Sequence, residues 1–198
     1  SQPQAFQPDL FTGRASSAIP IAVPPGRKGV QPSIALSYSS SGKNGPLGVG
    51  WGIELGAIER LTKDGVPSYN DTKDTFLLNL NGSVIELIQI QDGTYRAKEE
   101  GLFAKIQRTG SGWEMWDKSG THYLFGTSSN SRNEQGTNIF RWAFERIEDT
   151  HGNYLTISYL SHQGQLYPSQ IDYTGNSGAT GAPTLPTTNQ VVFIWDQS

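Results

Sequence analysis

Phe76-Leu77-Leu78-Asn79-Leu80 and Val84-Ile85-Glu86-Leu87-Ile88-Gln89-Ile90 flank the dipeptide Asn81-Gly82. Two apolar runs joined by Asn-Gly are the strongest short-range sign of a β-hairpin, because a tight type I′ turn needs positive φ at both central residues. Downstream the pattern repeats. Asp92-Gly93 separates Ile90 from Tyr95, Gly110-Ser111-Gly112 precedes Trp113-Glu114-Met115-Trp116, and Lys118-Ser119-Gly120 leads into His122–Phe125. Phe140, Trp142 and Phe144 then alternate with Arg141, Ala143 and Glu145. Gly152-Asn153 turns the chain into Leu155, Ile157 and Tyr159, and Gly164 turns it toward Ile171-Asp172-Tyr173. Val191–Trp195 reads as a last strand. The best helical candidate, Ala97–Gln107, is interrupted by Gly101. The expectation is an all-β protein: antiparallel hairpins and meanders in a sandwich- or shell-like sheet assembly, with long Gly/Pro loops and little or no helix. The polar stretches 126–138 and 174–190 read as loops, the first of them mobile.

Upstream, residues 1–12 are polar, contain Pro3 and Pro8, and read as a flexible arm. Ile19-Pro20-Ile21-Ala22-Val23-Pro24-Pro25-Gly26 cannot be helical, since each proline fixes φ and removes a donor. An edge strand ending in a Pro-Gly turn is expected. Ile34-Ala35-Leu36-Ser37-Tyr38 alternates as a half-buried strand does. Ser39–Gly52 is a glycine loop carrying one large side chain, Trp51, and a short strand follows through Ile53 to Leu61. Residues 13–198 are read as a single β domain. The strand abutting the C-terminus reads as the mark of a segment cut from a larger polypeptide.

Composition agrees with an all-β chain. Of 198 residues, 23 are glycine and 11 proline, which suits turns better than helices. Five Trp, eight Tyr and eight Phe supply a core. Lys+Arg is 15 and Asp+Glu is 18, a net charge of −3, so nucleic acid and anionic membranes are poor electrostatic partners. There is no cysteine, hence no disulfide, thiolate nucleophile or Cys-ligated zinc. No apolar run is long enough to span a bilayer, and no signal sequence is visible.

Chemistry-bearing patterns are scarce. His122, His151 and His162 lack metal-ligand spacing and read as strand and turn residues. Asn70-Asp71-Thr72-Lys73-Asp74 collects oxygen ligands, but a calcium loop alternates its acids around a fixing glycine, so a capped turn fits better. Asp149 with Asn153 reads the same way. Gly48-Val49-Gly50-Trp51-Gly52 has the glycines of a dinucleotide loop but no helix to follow. Trp113 and Trp116 lie three apart, so a strand points them to opposite faces. An exposed one would give a sugar-stacking platform.

Several pieces together resemble one family, the SpvB-type N-terminal domain of the Tc toxin B component and of the Salmonella plasmid virulence protein B. The first carrier runs from Gly13 to Arg60. It holds Val23-Pro24-Pro25-Gly26-Arg27, Leu36-Ser37-Tyr38-Ser39-Ser40 and Asn44-Gly45-Pro46-Leu47-Gly48-Val49-Gly50-Trp51. The second is Arg146-Ile147-Glu148-Asp149-Thr150-His151-Gly152-Asn153 with Ile157-Ser158-Tyr159 and Ile171-Asp172-Tyr173-Thr174-Gly175, which is also similar to Rhs/YD-repeat hairpins. The resemblance makes Pro24, Pro25, Gly26, Arg27, Asn44, Gly45, Pro46, Leu47, Gly48, Gly50, Trp51, Asp149, Gly152 and Asn153 architectural residues, with Trp51 plugging the core. It implies a non-catalytic module of a secreted toxin complex, part of a shell or scaffold around a toxic effector. The implied partners are a downstream β-propeller, Rhs-repeat regions and the effector (C component) segment, without membrane insertion by this segment. The implied location is extracellular, or cytoplasmic before export. In the Salmonella protein a separate C-terminal domain transfers ADP-ribose with a Glu-x-Glu pair. The nine glutamates here (54, 59, 86, 99, 100, 114, 134, 145 and 148) form no such pair, so neither a catalytic site nor a cofactor or metal is expected. The other reading kept open is a surface or glycan-binding β-module.

Overall fold

The structure is a computed structural model that describes residues 7–9, 14–39, 44–45, 48–49, 51–62, 65–99, 101 and 103–196. Among them every regular element is a strand, apart from one 3-10 turn at Ser129–Ser131. The N-terminal sheet joins β1 (Gln7–Asp9), β2 (Arg14–Ile21), β3 (Ile34–Ser39) and the later β6 (Trp51–Ile53) in that order. Between β3 and β6 lies a two-residue ladder of β4 (Asn44–Gly45) and β5 (Gly48–Val49). Pro20 falls past the end of the β1 pairing, on the stretch of β2 that has no outer partner among the described residues, where a missing donor costs nothing. The turn expected at Pro25-Gly26 comes one step later: Val30 N–H donates to Arg27 C=O at 2.9 Å, across Lys28 (φ 51°) and Gly29 (φ 80°).

Next comes a meander of β7 (Ala57–Arg60), β8 (Phe76–Leu80), β9 (Ser83–Gln89), β10 (Tyr95–Ala97), β11 (Phe103–Thr109), β12 (Gly112–Asp117) and β13 (His122–Phe125), each antiparallel to the next. The predicted turns are where the sequence puts them. Asn81 (φ 53°) and Gly82 (φ 79°) make the I′ turn. Of the helical candidate Ala97–Gln107, Ala97 ends β10 and residues 103–107 lie in β11. The meander does not stay open. The long β15 (Asn138–Glu148) pairs through Arg141–Ala143 with β7 and through Phe144–Glu148 with β13, sealing eight strands into a barrel. The polar stretch read as a mobile loop contains the 3-10 turn and β14 (Arg132–Gln135), which pairs with the start of β15. Beyond the barrel, β15 continues into an open extension of β16 (Asn153–His162), β17 (Gln165–Asn176) and β18 (Asn189–Val192).

The core lies inside the barrel and at its junction with the extension. Phe76, Tyr95, Trp113 and Trp142, all under 5% exposed, meet edge-to-face at centroid separations of 4.8 to 5.8 Å. Such geometry sets the positive edge of one ring on the negative face of the next. Two guanidinium groups enter the cage. Arg108 lies 4.8 Å from the Trp113 ring centre and 4.7 Å from that of Trp142. Arg60 lies over Phe76 and Trp142 and pairs with Asp71 and Asp74 at 2.9 and 3.0 Å. At the junction Val30, Ile34, Phe144, Leu155, Ile157 and Ile171 join the same buried cluster.

Candidate functional site

The Pro-rich segment 23–31 lies as a strap over the end of β17. Val23 packs against the core, and the Pro24 carbonyl accepts the Tyr173 hydroxyl at 2.9 Å. Arg27 Nε donates to the Thr174 carbonyl at 2.7 Å. Pro25 is exposed beside them. At Gly26 a Cβ would sit 2.0 Å from the Val30 carbonyl oxygen, so no side chain fits. The receiving strand is bulged: Tyr154 pairs with Gly175 and Thr156 with Asp172, leaving Tyr173 and Thr174 opposite Leu155. Thr174 takes φ 76°, a strained value for a β-branched residue. Arg27 on its carbonyl and Thr188, whose N–H donates to Thr174 Oγ1 at 2.8 Å, hold it there. At the bulge a Cβ on Gly175 would lie 2.4 Å from the Tyr154 ring.

The second carrier arrives at the same strand end. Asp149 Oδ1 accepts the His151 and Asn153 N–H groups, and Oδ2 accepts Asn153 Nδ2, each at 2.9 Å. Gly152 supplies φ 83° for the turn. Asn176, at the end of β17, donates to His151 O and Asn153 Oδ1 at 3.0 and 3.1 Å. The Pro24–Arg27 strap and the Asp149–Asn153 turn, far apart in sequence, are thus both tied to residues 173–176. The glycine segment is elsewhere: Asn44 pairs with Val49, Gly45 with Gly48, and the Trp51 backbone with Tyr38. Pro46, Leu47 and Gly50, with the Trp51 side chain expected to plug the core, lie outside the described residues.

Other polar candidates are occupied with local structure. Asp74 accepts Ser68 N–H, Ser68 Oγ, Tyr69 N–H and Arg60 Nη1. Burial pushes its pKa up, but these donors outweigh it and hold the carboxyl below its ordinary range. The Asn70–Asp74 segment is therefore a capped turn that delivers two carboxylates to Arg60. Trp113 is fully buried, while Trp116 is half-buried, stacked on His122 at 4.6 Å and covered by Lys105, so it offers no bare sugar platform. His122 Nε2 also lies 3.1 Å from Glu114 Oε2, and His151 and His162 are exposed.

A crevice of about 170 Å³ opens between the barrel end and the extension, lined among others by Leu80, Tyr123, Phe144, Ile147 and Leu155. Tyr123 is the ionisable side chain in its lining; burial, then the Asp117 charge, pushes its hydroxyl up to about 12, away from acid–base work at neutral pH. Among the described residues no three His, Asp or Glu side chains are grouped to hold a metal ion.

Sequence reasoning missed Glu145, 9% exposed, which organises the 127–131 turn by accepting from the Thr127 and Ser128 N–H groups and the Thr127, Ser128 and Ser131 hydroxyls. It also missed the Arg141–Glu54 pair, two contacts of 2.6 Å. Alternation placed Glu145 and Arg141 on a strand, but no spacing rule names partners so far away.

With this geometry in hand the relationships to known proteins are direct. The family described as Salmonella virulence plasmid 65kDa B protein matches residues 10–180. The chain belongs to the SpvB family. It is 27% identical over 194 residues to the Mono(ADP-ribosyl)transferase SpvB of Salmonella typhimurium, and equally to that of Salmonella choleraesuis. These matches take in 83% of this chain but 32% of the relatives, so the chain spans about a third of their length. Its fold is similar to the solved N-terminal domain of effector protein SpvB from Salmonella typhimurium (TM-score 0.64, 26% identity, covering 79% of this chain and 63% of that one). A similar fold occurs in the Photorhabdus luminescens Tc holotoxin pore (TM-score 0.71, 22% identity, 95% of this chain, 11% of that one).

Proposed function

We propose that this SpvB-family chain is a non-catalytic structural module of a secreted bacterial toxin complex, forming part of a shell or scaffold that encloses or supports a toxic effector. The supporting observation is that the two stretches carrying the family resemblance converge on one strand end and spend their polar groups on each other: Pro24 and Arg27 on Tyr173 and Thr174, Asp149 on Asn153, and His151 and Asn153 on Asn176. Pro24, Pro25, Gly26, Arg27, Asp149, Gly152 and Asn153 then act as a latch between the N-terminal sheet, the barrel and the extension. Asn44, Gly45, Gly48 and Val49 form the short ladder between β3 and β6 of the N-terminal sheet. Backbone acceptors and fixed turns suit a load-carrying part better than a reaction centre, which needs groups poised to change protonation or bonding. The 23% to 22% identical Tc assemblies share its fold as a small share of a long chain, which favours a module that works beside other domains. Its neighbours would be a β-propeller, Rhs-repeat sheet and the effector segment, and its place of action outside the producing cell.

The test is to capture the natural polypeptide from its source with an antibody raised against this chain. The expected product is far larger than 21.6 kDa and carries a protease-shielded effector segment. A free 21.6 kDa polypeptide with no associated segment refutes the scaffold reading. Incubating the chain with labelled NAD and actin checks the catalytic side: no label should transfer, and any transfer abolished by a Glu substitution makes the module an enzyme.

A further inference from the structure

The crevice between the barrel end and the extension is walled by three parts of the chain. Pro32 follows the strap, and Leu55 links β6 to β7. Leu80, Tyr123 and Phe144 come from the barrel, Leu155 and Ile171 from the extension. Protein interiors keep few voids larger than a water molecule, because unfilled space forfeits dispersion contacts. This one measures about 170 Å³. A cavity of about 150 Å³ lined by Leu, Ile and Phe stays dry and takes up benzene. The crevice is thus of the size that holds one six-membered ring, and its walls are of the same kind. Two of those walls are themselves rings. Tyr123 and Phe144 lie with centroids 6.0 Å apart, tilted by 35°. Phe144 continues the row to Phe125 at 5.2 Å, and Tyr123 continues it to Phe103 at 6.2 Å. A further ring seated against Tyr123 and Phe144 gains the same kind of contact.

The polar members of the lining, Gln31, Ser33 and Asn81, are exposed and so mark the mouth. Gln31 Oε1 accepts the Gly26 N–H at 3.2 Å, which leaves its NH2 group to donate. No side chain of the lining carries a charge. Asp117, behind Tyr123, is spent on the Tyr123 hydroxyl and on the Ser119 and Thr121 N–H groups. We propose that the crevice is a binding site for a small neutral aromatic molecule, its ring against Tyr123 and Phe144 and a hydroxyl or carbonyl group at the mouth among Gln31, Ser33 and Asn81. A charged ligand would shed its hydration and meet no opposite charge in the lining. Because the walls come from the strap side, the barrel and the extension, the bound molecule also pins the three together. Such a ligand is a role beyond the scaffold and independent of it.

The probe is phenol, a neutral ring with one hydroxyl. Titrated into the isotopically labelled chain, it should give saturable NMR shifts centred on Leu80, Ile147 and Leu155, with millimolar affinity or tighter, as so few atoms allow. Cyclohexanol has the same outline without the π face and should bind about threefold more weakly or worse. Benzoate and benzylamine, the anionic and cationic counterparts, should each bind about tenfold more weakly or worse. Ser33→Phe, at an exposed position that leaves the core intact, sets a ring of the chain's own at the mouth and should weaken phenol binding about tenfold. Phe144→Leu keeps the lining apolar and should narrow the preference for phenol over cyclohexanol. Saturating phenol should slow amide exchange at Gln31 and Ser33 and in β17, and should not do so in Ser33→Phe. Absence of saturable shifts at Leu80, Ile147 and Leu155, shifts that persist unchanged in Ser33→Phe, or equal binding of phenol and cyclohexanol overturns the proposal.

Discussion

In the barrel, β7 and β13 both pair with β15, so each strand has two neighbours. In the extension β18 has one among the described residues. Both regions are built from similar hairpins. The difference lies in β15, whose 11 residues are long enough to pass from one partner to another on each side: β7 then β16 on one, β14 then β13 on the other. Closure therefore comes from one strand that outlasts its neighbours rather than from any feature of the hairpins. The interiors differ accordingly. The barrel encloses a ring cage with two arginines, whereas the extension buries one face through Leu155, Ile157 and Ile171 and shows water polar groups such as Ser158 and Gln170.

Breaking the barrel should have the largest effect. Trp142→Ala removes the ring that Arg60 and Arg108 both face and the indole N–H that donates to Ser111 O at 2.7 Å, and should cost about 3–5 kcal/mol in denaturant unfolding. If exchange protection in β16 and β17 is lost with that of the barrel, the two regions are one cooperative unit. Retained protection makes them separate ones. Asp74→Asn keeps the shape but weakens the hold on Arg60, for about 1–3 kcal/mol at neutral pH. Because Asp74 is held below its ordinary range when folded, its contribution is complete above the unfolded value near 3.8 and is lost as pH falls through the folded one. The natural chain should therefore lose stability on acidification more steeply than Asp74→Asn.

Gly175→Ala acts on the extension, forcing a methyl group into the Tyr154 ring for about 1–3 kcal/mol. Faster exchange confined to β16–β18, with the barrel tryptophan fluorescence unchanged, is the expected outcome. Tyr173→Phe is the mildest, about 1 kcal/mol, since it removes only the hydroxyl bond to Pro24. It should be read as easier proteolysis within residues 23–31.

The hairpins were legible because their signals are local: Asn81-Gly82 and Asp92-Gly93 dictate turns whatever surrounds them. The break between β6 and β7 was half-legible. The sequence shows one alternating run from Ile53 to Leu61, while Gly56 at φ 123°, 3.0 Å from Leu80 at its would-be Cβ, divides it. Barrel closure was not legible, since nothing in Arg141-Trp142-Ala143 names Ala57-Ile58-Glu59 as its partner. The stretch 126–138 looked like solvent-swollen loop because its order comes from outside it: from Glu145 for the 127–131 turn and from pairing with β15 for β14. Of the candidate site, Asp149–Asn153 was readable as a turn, but the seat of Arg27 at Thr174 was not. A left-handed threonine leaves no mark in composition or periodicity.

The seal between β7 and β15 also sets a timetable. Ala57–Glu59 leave the ribosome long before Arg141–Ala143 do, and until the later strand arrives the hairpins form an open ribbon with both margins unpaired. Contacts this distant in the chain make the last step slow and dependent on loop closure. For that interval the nascent ribbon is exposed to strand exchange with its neighbours, a hazard that ends when β15 docks.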